Sequence, residues 1–81
     1  MTLIEKRTSQ RHRVLKGATI TFGRHDLACT VRNLSAGGAA IDLSAPALLP
    51  SSFTLLIQRD RFVRRCRPVW RNQHRIGVAF H

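Results

Sequence analysis

Leu27-Ala28-Cys29-Thr30-Val31-Arg32-Asn33-Leu34-Ser35-Ala36-Gly37-Gly38-Ala39-Ala40-Ile41-Asp42-Leu43 decides the fold. Leu27, Cys29 and Val31 alternate with Ala28, Thr30 and Arg32, the period of two that marks a half-buried strand. That strand runs into Asn33. Gly37-Gly38 permits a sharp reversal, because glycine reaches positive φ without steric cost. A second alternating run follows, with Ala39, Ile41 and Leu43 on one face. Two short strands around a tight polar turn predict an antiparallel pair.

The same period extends outward in both directions. From Gly17, the residues Ala18, Ile20 and Phe22 face one way and Thr19 and Thr21 the other, with Gly23-Arg24-His25-Asp26 as the turn that follows. Ser44 to Ser52, with Pro46 and Pro50, reads as a loop with room for one short helical turn. Phe53, Leu55 and Ile57 form the inward set of a fourth strand, and Gln58-Arg59-Asp60-Arg61 a tight polar connection. A fifth strand, about Phe62 to Arg71, puts Phe62, Cys66, Pro68 and Trp70 on one side. Arg64 breaks that parity and Val69 stands beside Trp70, so a bulge is expected. Asn72-Gln73 turns the chain into a sixth strand with Ile76, Val78 and Phe80. Without an amphipathic helix of ten or more residues, the pattern predicts an all-β fold, a small six-stranded antiparallel β-barrel. Closing the sheet removes edges that would invite aggregation.

Eighty-one residues allow one small domain, which buries roughly 60–65% of the surface of its unfolded chain. Residues 1–12 lack periodicity and are rich in charge, Thr, Ser and Gln, so they predict a flexible basic arm, and residues 13–81 the barrel. Fourteen Lys plus Arg against four acids give +10, and all but Lys6 and Lys16 of the cations are arginine. A guanidinium presents a planar fork that grips phosphate or a guanine edge, so the composition favours a flat anionic partner. Cys29 and Cys66 lie in apolar strand-like runs and read as reduced core residues. Met1 to Arg13 holds no apolar signal-peptide core, and no stretch approaches a membrane span, so a cytoplasmic protein is expected. A zinc site from His25, Cys29, Cys66 and His74 has neither the spacing nor a knuckle to support it. With carboxylates only at Glu5, Asp26, Asp42 and Asp60, and no serine in a nucleophile elbow, an enzyme is not expected.

Two short motifs sharpen this reading. Arg7-Thr8-Ser9-Gln10-Arg11 places two arginines four positions apart, and Asn33-Leu34-Ser35-Ala36-Gly37-Gly38 follows about twenty residues later. In order and separation, Arg-x-x-x-Arg then Asn-x-Ser-x-x-Gly resembles the PilZ domain family. Glu5 to Arg11 is similar to its arginine arm, Thr30 to Ala39 to its signature turn, and Cys66 to Trp70 with Arg75 to Phe80 to its closing hairpin. The resemblance implies a barrel whose surface and arm clamp the bacterial second messenger cyclic di-GMP. Carried over by position, Arg7 and Arg11 contact phosphate and guanine. Asn33, Ser35 and Gly38 receive a guanine, and Lys6 and Gly37 are secondary contacts. Many members have Asp where this chain has Asn33, which keeps a carbonyl acceptor but loses a charge-assisted bond. The C-terminal helix of some members is not expected, since the sequence ends directly after the last strand. No cofactor is implied beyond the ligand.

The physics agrees with the resemblance. Cyclic di-GMP offers two negative charges, acceptor edges and flat faces, and arginine answers each. Arginines at i and i+4 on an extended arm lie on one side, about 13 Å apart at most. The leading expectation is a stand-alone receptor whose arm orders on the barrel and signals to an effector protein. A basic small-barrel nucleic-acid binder is the alternative, although no Tyr and a single Trp leave it few stacking platforms. A PilZ-like protein adaptor that binds no nucleotide is a third, against which the retained arginines argue. Trp70 is expected in the core or on the barrel rim, and the arginines from Arg64 to Arg75 on a solvated face.

Overall fold

The computed structural model describes residues 12–81, so the arm expected over residues 1–12 lies outside it except for His12. The strands are β1 (His12–Phe22), β2 (His25–Leu34), β3 (Gly38–Leu43), β4 (Phe53–Ile57), β5 (Phe62–Asn72) and β6 (Arg75–Phe80). All pair antiparallel, and the ring closes in the order β1-β2-β3-β6-β5-β4. The expected six-stranded barrel is therefore the fold. It consists of two three-stranded meanders, β1 to β3 and β4 to β6, joined by the loop over residues 44–52. Two seams seal them, β3 against β6 and β1 against β4.

The inward positions are those the alternation indicates. Ile20, Val31, Ile41, Phe53, Leu55, Ile57, Cys66 and Ile76 are fully buried, and Cys29, Leu43 and Val78 nearly so. Phe22, Phe62 and Phe80 pack against this core from its ends. Burying each large apolar side chain contributes about 1.5–3 kcal/mol towards offsetting the entropy lost in ordering the strands. β4 is the shortest strand, and its inward set Phe53, Leu55 and Ile57 is shielded completely.

Several details differ from the alternation. β1 starts at His12 rather than Gly17, because a register shift between Arg13 and Lys16 lets it follow β2 past the point where simple alternation fails. The first turn is narrower than expected: Gly23 takes φ +57, the left-handed region open to glycine, and His25 and Asp26 already belong to β2. Loop 44–52 has no helical turn. That turn falls at Gln58–Asp60, closed by Arg61 with φ 53, and Lys16 pins it through an ion pair to Asp60 at 2.6 Å.

Both cysteines are reduced and buried. Burial pushes the Cys29 thiol up to about 12 and Cys66 to about 11. The thiolate is the reactive form, so both should resist a thiol reagent at about pH 8 in the native state and react only in denaturant. Labelling kinetics with and without urea check this, and fast native labelling would mean the barrel opens.

Candidate ligand groove

Bulges on two strands build the walls of one groove. Along β2, Val31 faces inward, so Asn33 would also face inward by alternation. A register shift against β3 inserts Arg32, so that Asn33 pairs with the outward Ala40 and Leu34 turns in to pack against the core. On β5, Pro68 pairs with Val78 and Trp70 with Gly77, leaving Val69 as the extra residue. The expected bulge is present, and its consequence corrects the expected side of Trp70. The indole is on the outer face, 44% exposed, not in the core with Cys66.

One outward row thus runs around the barrel: Arg13, Asn33, Ala40, Gly77 and Trp70, each in register with the next. Ala40 and Gly77 form a floor nearly free of side chains. A concavity of about 300 Å³ lies over it, lined by Asn33, Leu34, Ser35, Gly37 and Gly38 on one side and by Val69 and Trp70 on the other. Asn33, Ser35, Gly37 and Gly38, named from sequence, are brought together here. Arg7, Arg11 and Lys6 lie outside the described residues.

The signature turn is held by its serine. The Ser35 hydroxyl accepts from the Gly38 N–H at 3.2 Å and donates to the Gly38 carbonyl at 3.3 Å, and the Ser35 N–H donates to that carbonyl at 2.9 Å. The Phe80 N–H donates to the Gly37 carbonyl at 2.9 Å, which ties the turn to β6. A hydroxyl has one donor and two lone pairs, so Ser35 keeps one lone pair for a ligand. Neither Gly37 nor Gly38 has positive φ, contrary to the expectation for this reversal. Gly38 is required for space instead: a Cβ there would collide with the Val78 carbonyl. Gly77 is required for the indole, since a Cβ there would collide with the Trp70 ring.

Sequence reasoning missed Trp70, Val69, Ala40 and Gly77 as groove residues. The available signal was the broken parity at Val69-Trp70 together with a glycine in the middle of β6. Asp42, two residues beyond Ala40 on β3, is occupied: Arg75 binds it through two nitrogens at 2.5 and 3.1 Å, and Arg32 stands 3.7 Å away. The Arg75 hydrogen bond holds the Asp42 carboxyl below its ordinary range. The surroundings of the groove are therefore cationic, with Arg13 in its row and Arg67 in the next row, across from Ala79 and Gly38.

The barrel thus carries an outer groove walled by a hydrogen-bonding turn and an indole. The family model of the PilZ domain matches residues 5–81, and the chain belongs to the PilZ domain family. PilZ domains are cyclic di-GMP receptors, binding domains rather than enzymes. Among curated proteins, none matches the chain. Among the described residues, no helix is long and apolar enough to cross a membrane.

Gly77→Ala should displace the Trp70 ring, and the emission of this single tryptophan reads that directly. Gly38→Ala has no such escape because the obstruction is backbone, and urea unfolding should show a loss of about 1–3 kcal/mol. The lowered Asp42 carboxyl contributes stability that is present above the unfolded value near 3.8 and is lost as pH falls through the folded value. Acid unfolding curves should lose part of that dependence in Asp42→Asn.

Proposed function

We propose that this protein is a cytoplasmic receptor for cyclic di-GMP whose arm orders on the barrel when ligand binds. The ordered arm then signals to a partner protein. The observation that supports the reading is the register of the first described residues of β1. His12 pairs with Leu34, which lines the groove, so the residues that carry both arm arginines join the barrel at the groove's edge. Five residues span at most roughly 18 Å, which keeps Arg7 as well as Arg11 within reach.

The groove volume, about 300 Å³, is at the lower end for small-molecule sites. It suits one base better than a whole cyclic dinucleotide. A guanine enters between the signature turn and the indole, with Asn33 and Ser35 on its polar edge and Gly38 and Gly37 allowing close approach. The phosphates and the second base stay outside, where Arg7 and Arg11, with Lys6 as a secondary contact, close over them. Ordering a segment by ligand contacts is a common switching device, and the covered arm presents a new surface to the effector.

Calorimetric titration with cyclic di-GMP, cyclic di-AMP, GTP and a single-stranded oligonucleotide at about 0.15 M salt tests this. Selective binding of cyclic di-GMP is expected. Equal, salt-sensitive binding of every polyanion would replace it with the nucleic-acid reading. Arg7→Ala and Arg11→Ala should each weaken binding roughly 10- to 150-fold, about 1.5–3 kcal/mol.

A further inference from the structure

We infer that Arg13 is a third arginine of the site, belonging to neither motif, whose guanidinium holds a phosphodiester of the bound cyclic dinucleotide. The inference rests on the ligand class proposed above.

Register places Arg13 directly across from Asn33, at the end of the outward row that forms the groove. Facing side chains of neighbouring antiparallel strands have Cβ atoms about 5 Å apart, and the long arginine stem extends well beyond that. Its parity is settled by its neighbours: Val14 packs against the core and Leu15 is 71% exposed, so Arg13 points out and is exposed. β4 pairs with β1 only at Thr19 to Thr21, so among the described residues no strand flanks Arg13 on its far side.

The charge of Arg13 is also uncommitted among the described residues. Asp42 is held by Arg75 and Arg32, and Asp60 by Lys16. Asp26 pairs with Thr21, eight positions along β1 and roughly 26 Å away. An aspartate at position 33 would stand opposite this guanidinium and neutralise it. Asn33 leaves it free for an anion while still offering a guanine its carbonyl. The charge-assisted bond that a carboxylate would give to the base is thereby exchanged for one from Arg13 to phosphate. Arginine suits that role, because its planar fork matches two phosphate oxygens at once.

Cyclic di-GMP titrations of the full chain and of Arg13→Ala, Arg13→Gln and Arg13→Lys, at about 0.05 and 0.5 M salt, decide the matter. Circular dichroism melts confirm that each variant folds. Arg13→Ala and Arg13→Gln should bind at least about tenfold more weakly at low salt, with the deficit shrinking at high salt, and Arg13→Lys should recover part of the loss. Wild-type binding with unchanged variants overturns the third arginine and leaves the receptor reading intact. A deficit equal at both salts means lost packing and overturns it too. No binding by the wild type overturns both together.

Discussion

The complete burial of Phe53, Leu55 and Ile57 is the constraint on which the barrel depends. β4 is the sole bridge between β1 and β5, and it is five residues long. Its backbone pairing with β1 covers only Thr19 to Thr21, too little to hold a strand by hydrogen bonds alone. The three inward side chains supply the rest by filling the centre of the ring against Ile20 and Cys66. With that centre filled, the sheet is curved and fixed, and features on its outer face acquire defined positions.

The groove uses that rigidity. Two extra residues, Arg32 and Val69, sit on strands at opposite walls, and each turns the next side chain outward. Between them Ala40 and Gly77 keep the floor low, so a flat ring meets backbone rather than bulk. The polar wall is a turn braced by its own serine, and the apolar wall is an indole lying against a glycine. One wall carries hydrogen-bonding groups, the other an exposed aromatic face.

The alternation of apolar residues in β2, β3, β4 and β6 was enough to predict the barrel, because each of these strands buries one face and exposes the other. The signature turn was legible from Asn33, Ser35 and Gly38, but its geometry was not: Gly38 serves for room against Val78, not for a left-handed backbone. Counting by twos placed Trp70 inside, because a bulge shifts parity without announcing which residue will be the odd one. The early start of β1 was hidden by the irregularity between Arg13 and Lys16. Cross-strand neighbours such as Arg13 and Asn33 are twenty residues apart in the chain, and only the register brings them side by side.

The groove lies astride the β3–β6 seam. Asn33 and Ala40 come from the first meander, Gly77 and Trp70 from the second, so this groove exists only where the two half-shells meet. Joining strands so distant along the polypeptide is slow in β-rich chains. Any molecule seated there acts as a rivet between the two shells. By mass action the occupancy of that seat resists their parting, so anything held there would also brace the ring.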